Sequence, residues 1–246
     1  MRPILRTLRN AWLDLRTLRW LLRLRLELRR NGGRLRVEAW RGVRMAQRPR
    51  IRATPQGNGG GVTTIRLAPG VLIGYGVIVE VFARGNNLLR LDDEARIYEG
   101  VRLELRGGAI HLGENAWIHD HGVLKSDGDL VLRHHVRMSY GSCLHCSERI
   151  EIGEHTASAE YVTVTDSDHG TDGSDVPVHS QPLVTDPVLI EPNVWLARGA
   201  AVLRGVTIGR NSVVAANSVV RKGDYPARSL LAGAPAQQVR ELSAKD

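Results

Sequence analysis

The segment Thr165-Asp166-Ser167-Asp168-His169-Gly170 gathers one imidazole and two carboxylates within four residues. A neutral imidazole can accept a proton near pH 7, and a neighbouring carboxylate can fix its tautomer and raise its basicity. That is the chemistry of a general base acting on a hydroxyl or an amine. The same residues also describe a polar surface turn, since loop side chains are often only solvated. A covalent route is not expected, because no Ser or Cys is convincingly placed as a nucleophile. Cys143-Leu-His145-Cys146 is a lone Cys-x-x-Cys, and His119-Asp-His121 puts two rings on one strand face. A four-ligand zinc site normally needs a second such pair, so no metal is expected. Two cysteines in 246 residues exclude a disulfide scaffold and point to a reducing, cytoplasmic setting.

The elements that must position these groups follow a six-residue period. From Val188 onward an aliphatic residue falls at Ile190, Leu196, Val202, Ile208, Val214 and Val220. Two positions before each sits a small or branched residue: Val188, Val194, Ala200, Val206, Ser212 and Ser218. Residues two apart on a strand share a face, so both sets point inward, and Gly, Ala or Asn between them lets the chain turn. Aromatics make up 4% of the chain, with one Phe, so the core is filled by small branched side chains. Three such strands close one triangular coil.

The phase extends back through Ile152/Ser158/Val164, Leu132/Met138/Leu144, Leu112/Ile118/Leu124 and Leu91/Ile97/Leu103 to Ile73/Val79/Gly85. This predicts an all-β solenoid of about seven triangular coils over residues 73–220. Inward residues are eight apart from Leu124 to Leu132 and from Leu144 to Ile152, which places the extra residues at one corner. The next passage of that corner, from Val164 to Ile190, carries the long loop 165–189. A loop of that length on a rigid wall is expected to be functional. Lys125, His145 and Thr165 occupy the same step of consecutive coils, so His145 lies beneath the base of the loop as a second candidate base.

The charge is divided unevenly. The net charge is +8, but residues 1–52 hold 16 Arg against three acids, leaving the rest of the chain acidic. Residues 1–33 read as a basic amphipathic helix ended by Asn31-Gly32-Gly33. Leu5, Leu8, Trp12, Leu15, Leu18, Leu22 and Leu26 mark its apolar face. Arginine interrupts the segment too often for a signal peptide or a membrane span. Residues 1–30 can lie on an anionic membrane surface, or their leucines can pack on the rest of the assembly. Nucleic-acid binding is not expected, since no base-reading or stacking residues accompany the charge. Residues 34–72 read as leading strands and a Gly-rich loop, Thr54 to Gly61, and residues 221–246 as a C-terminal tail.

The stretches Val162-Thr-Val-Thr-Asp-Ser-Asp-His169-Gly and Pro187-Val-Leu-Ile-Glu-Pro-Asn-Val-Trp195-Leu-Ala carry a resemblance, as does the tail Ala215-Ala-Asn-Ser-Val-Val-Arg-Lys222. Together with Ala232-Gly-Ala-Pro235-Ala-Gln-Gln-Val-Arg240 they resemble the galactoside and maltose O-acetyltransferases and the related sugar acetyltransferases of polysaccharide assembly. The resemblance implies a left-handed β-helix, a homotrimer with grooves between subunits, and acetyl-CoA as cosubstrate. It makes His169 the general base, with Asp166, Asp168 and His145 around it, and sets the backbone N–H groups near Ala197 and Arg198 toward the oxyanion. Trp195 would line the pantetheine groove beside Ala215, with Lys222 and Arg240 meeting the nucleotide phosphates.

Two departures stand out. The usual Pro-Ala-Lys is Pro235-Ala236-Gln237 here, and the usual Trp-Ile-Gly is Trp195-Leu196-Ala197. The acceptor-contacting Asn of the galactoside enzymes falls at Ser139, which with Tyr140 is the candidate acceptor contact and withdraws those enzymes' sugar specificity. The γ-type carbonic anhydrases share the fold, but no two of the nine histidines are five apart as their zinc ligands require. The expected function is therefore O-acetylation of a sugar, glycan or glycolipid, in the cytoplasm or peripherally on the inner face of its membrane. The alternatives are N-acetylation of an amino sugar or nucleotide sugar, and a non-catalytic membrane-docked scaffold.

Overall fold

The computed structural model describes residues 15–39, 42–57 and 60–243. Three parallel sheets of nine, ten and eight strands form the walls of a triangular solenoid, here called sheets A, B and C. Sheet A begins with Arg34–Ala39, sheet B with Arg44–Met45 and sheet C with Arg50–Thr54. The chain visits A, B and C in turn through eight complete coils. A ninth starts with Gly223–Tyr225 and Ser229–Gly233, and the antiparallel strand Ala236–Glu241 then folds back on sheet B and closes that end.

The core is a set of ladders one residue wide. On sheet A, Leu67, Leu91, Leu112, Leu132, Ile152, Ile190 and Ile208 stack in register, all buried. Each such side chain contributes ~1.5–3 kcal/mol of burial, which is how a core almost without aromatic rings holds. The corner from sheet C to sheet A is the long one, and glycine lets its layers touch. A Cβ on Gly128 would lie 2.2 Å from the Glu148 carbonyl oxygen.

The structure corrects the sequence reading at the N-terminal end. Residues 34–72 are not only leading strands. Arg34–Ala39, Arg44–Met45 and Arg50–Thr54 complete a first coil, and Val62–Leu67 opens the second. There are thus eight coils and not seven. Gly85 lies in a C–A corner turn, and the inward position before Ile73 is Leu67.

Helix α1 (Leu15–Arg30) lies across the open end of the first coil and buries Thr17, Trp20, Leu21, Leu24 and Leu28. Arg16 fastens it, donating from Nη1 to the carbonyl oxygens of Met45 and Ala46 at 3.2 and 3.1 Å. The predicted apolar face is therefore not the buried one. Leu18, Leu22 and Leu26 are 53, 49 and 57% exposed. A leucine-rich helix offers two stripes at helical spacing, and the coil end takes the one that includes the large Trp20. Leu5, Leu8 and Trp12 lie outside the described residues.

Candidate active site

The long corner builds the first half of the site. Thr163–Thr165 ends the sixth coil on sheet C, and Asp166 follows it into the corner, fully buried. Its carboxylate accepts the backbone N–H groups of Ser147, Glu148 and Arg149 at 2.7, 2.8 and 2.8 Å. Asp166 therefore pins one coil to the next and does not orient the imidazole. From that anchor Ser167–His169 pairs antiparallel with Leu183–Thr185, so His169 stands on a short hairpin opposite Leu183. Its ring is exposed and has no hydrogen-bond partner among the described residues. Asp168 turns away from it and accepts Arg204 Nε at 2.8 Å. The expectation that flanking carboxylates orient His169 is thus corrected, because both are engaged by the scaffold.

His145 does lie under the loop base, in register with Lys125 below and Thr165 above. Burial lowers its basicity, and the ammonium of Lys125 lowers it further. Lys125 is itself held below its ordinary value by burial and by Arg106. Lys222, expected at the cofactor phosphates, sits on this same edge and pairs with Asp186, which also faces Arg204 at 3.7 Å. Asp186 and Arg204 were not singled out from the sequence. The long-corner phase could have placed them there, since Asp166, Asp186 and Gly205 follow one another in its backbone ladder.

The second half stands on another edge. The corner from sheet B to sheet C stacks Tyr140, Glu160, Arg198 and the turn before Asn217 in successive coils. Ser139 donates its N–H to Ser158 Oγ at 3.0 Å, and Tyr140 is half-exposed with its ring 5.4 Å from His119. Ala197 and Ala215 follow each other here, and both amides are used by the solenoid, donating to Val214 and Leu231 carbonyls. Ala197 therefore has no N–H to offer an oxyanion. The Arg198 amide has no acceptor among the described residues and is the remaining donor on that turn.

Trp195, half-exposed on sheet B, stacks in register with Val213 and Leu230, and Leu230 pairs with Arg240. Beside them opens a cleft of about 450 Å³ lined by Asn193, Asn211, Val213, Arg228, Arg240 and Leu242. Arg228, which the sequence did not flag, gives this cleft a second cation next to Arg240. The lining thus joins two cations to the apolar side chains of Val213 and Leu242.

The two halves are separated. Six residue steps across sheet C, from Gly141 to Ser147, divide the edge of Tyr140 and Arg198 from the edge of Asp166, roughly 20 Å at strand rise. Burial raises both cysteine thiols between them, Cys146 to about 12. No group of three His, Cys, Asp or Glu side chains among the described residues is arranged to hold a metal ion.

The chain is similar to known proteins in sequence and fold. The bacterial transferase hexapeptide (six repeats) family matches residues 187–222. The chain is 33% identical over 147 residues to Rv3034c of Mycobacterium tuberculosis (strain ATCC 25618 / H37Rv), which is named as an acetyltransferase. That match covers 59% of this chain and 47% of the relative, so the chain spans about half the length of that protein. It is 32% identical over 152 residues to WbbJ of Escherichia coli (strain K12), named as an O-acetyl transferase of lipopolysaccharide biosynthesis, covering 58% of this chain and 67% of WbbJ. The solved polySia-specific acetyltransferase NeuO aligns with a TM-score of 0.50 at 17% identity, over 84% of this chain and 80% of that one, a likeness of fold. A period read from the residues, a solenoid built on it and a relative 32% identical over two thirds of its own length converge: the chain belongs to the hexapeptide-repeat transferase family.

Proposed function

We propose that the protein transfers an acetyl group from acetyl-CoA to a hydroxyl of a sugar, glycan or glycolipid, with His169 as general base and subunits joined as a homotrimer. The observation that carries this reading is the hairpin that presents His169 from the long corner with its ring unengaged. A neutral ring nitrogen takes the proton of the acceptor hydroxyl as its oxygen forms a bond to the thioester carbonyl carbon. The carbonyl oxygen gains negative charge, and the Arg198 N–H is the donor available to it. Collapse re-forms the carbonyl, breaks the C–S bond and expels the CoA sulfur, which receives the proton from the imidazolium. No acyl-enzyme is involved, in keeping with the half-buried thiol of Cys143 and the buried thiol of Cys146, both pushed up by burial.

The cleft beside Trp195, with Arg228 and Arg240, supports nucleotide binding through charge-assisted contacts. The loss of the lysine at Gln237 is offset there by Arg228, which lines the same cleft. The separation of the two edges supports the trimer, since a neighbouring subunit can bring its Trp195 edge against the His169 edge of the first. WbbJ, named for O-acetyl transfer, supports oxygen over nitrogen as the acceptor atom. The free cysteines suit the reducing cytoplasmic setting expected from the sequence.

The test is CoA release from acetyl-CoA with a panel of sugars and glycosides, comparing wild type with His169→Ala. Loss of general-base catalysis should lower kcat by ~10²–10⁴-fold. The melting temperature should stay put, because the ring holds nothing together. Release that survives the substitution unchanged would move the base to another residue, with His145 the next to replace.

A further inference from the structure

Helix α1 carries more apolar surface than the solenoid uses. At about 100° per residue, the exposed Leu18, Leu22 and Leu26 form a stripe centred ~150° round the helix from the buried Trp20, Leu24 and Leu28. The stripe therefore faces away from the coils, along the solenoid axis. It continues onto the coil end. Val37 sits in register above the buried Ile65 yet is 40% exposed, because the helix leaves that part of the end uncovered. A groove of about 310 Å³ runs between helix and strand, lined by Leu18, Leu21, Leu22, Leu35 and Val37 with Arg25 at its rim.

The charge around this stripe selects what covers it. Arg19 and Arg23 flank the leucines on one side, and Arg25 and Arg29 on the other. All four are exposed and lack an acidic partner among the described residues. The stripe so framed has the composition of an interfacial helix, in which leucines enter the acyl boundary and arginines meet anionic headgroups. Among the described residues no helix is long and apolar enough to cross a bilayer.

We infer that the N-terminal end of the solenoid docks end-on onto an anionic lipid surface, through Leu18, Leu22, Leu26 and Val37 with Arg19 and Arg23. Coil axis and membrane normal then coincide, and the helices of several subunits lie in one plane, where their weak affinities multiply. This surface is independent of the acyl-transfer reading and stands or falls without it.

The experiment is vesicle co-sedimentation of the full chain, using phosphatidylglycerol/phosphatidylcholine vesicles and phosphatidylcholine alone. Binding is expected only to the anionic vesicles. Leu22→Gln with Leu26→Gln should lower the partition coefficient at least tenfold, since two exposed leucines lose their apolar burial. Arg19→Gln and Arg23→Gln should each lower it about fivefold at low salt. A dye on Leu26→Cys should shift to the blue with vesicles while one on Ser174→Cys does not, with unsubstituted protein as the blank. Equal binding to both vesicle types, or indifference to the leucine pair, overturns the proposal. So does a larger oligomer without lipid that the leucine pair dissociates, which assigns the stripe to a second copy. Stronger vesicle binding after deletion of residues 1–14 also overturns it, since those residues would then be the occupant.

Discussion

His145 shows how the wall of the solenoid sets the chemistry of a side chain. It points outward from sheet C, half-buried between layers, and burial disfavours its charged form before any neighbour is considered. The ammonium of Lys125, one coil below, adds to the effect, while Asp127 and Asp166 oppose it. The folded state therefore binds the proton more weakly than the unfolded chain, whose reference value is 6.5. The stability that this site contributes is complete above 6.5 and is lost as pH falls from there through the lower folded value. In Lys125→Met the ring should titrate at a higher pH than in wild type, read from its Cε1 proton by NMR. An unmoved titration curve would leave burial, with Arg106, as the cause. The neutral ring was out of reach of the sequence, which gives the register of Lys125, His145 and Thr165 but not the depth to which that layer is covered.

At the scale of elements the hairpin under His169 depends on Asp166 more than on its own two short strands. Asp166→Ala would strand three part-buried backbone donors and remove the clamp between the fifth and sixth coils. The cost is about 3 kcal/mol, counting roughly 1 kcal/mol for each donor left unmade. Because a solenoid can loosen locally, the readout is amide hydrogen exchange at Ser147, Glu148 and Arg149. Those amides should lose protection while sheet A of the second and third coils keeps it. The existence of this corner was legible, since eight-residue steps at Leu124–Leu132 and Leu144–Ile152 betray it. Its ion pairs were not, because Asp168 and Arg204 lie 36 residues apart and meet only once the coils are stacked.

The first coil escaped the sequence for a different reason. Arg34 pairs with Val62 across 28 residues, against 18 between Ile190 and Ile208, so the wide corners hide the period. Helix α1 was legible as an amphipathic element, but a pattern rich in Leu and Arg does not reveal which of two apolar stripes the coil end will choose.

For the whole molecule, the edge of His169 and the edge of Trp195 and Arg198 can serve one reaction only if two subunits supply them. This makes a quantitative prediction. His169→Ala spoils one edge and Trp195→Ala the other, and each homo-oligomer should be nearly inactive. When the two are unfolded together and reassembled one to one, a quarter of the interfaces join two intact edges, so about 25% of wild-type CoA release should return. A site confined within each protomer would return none. The heights of these parts along the axis carry one more consequence. The hairpin leaves the sixth coil, five layers from the first coil that the helix caps, and layers are spaced by about 4.8 Å. On the proposed docking, the imidazole would stand about 24 Å above the first coil, with the helix between that coil and the bilayer, and so would gauge the length of whatever projects from it. Sugars next to a lipid anchor would then pass beneath its reach, and only a chain long enough to rise to that height would present a hydroxyl to His169.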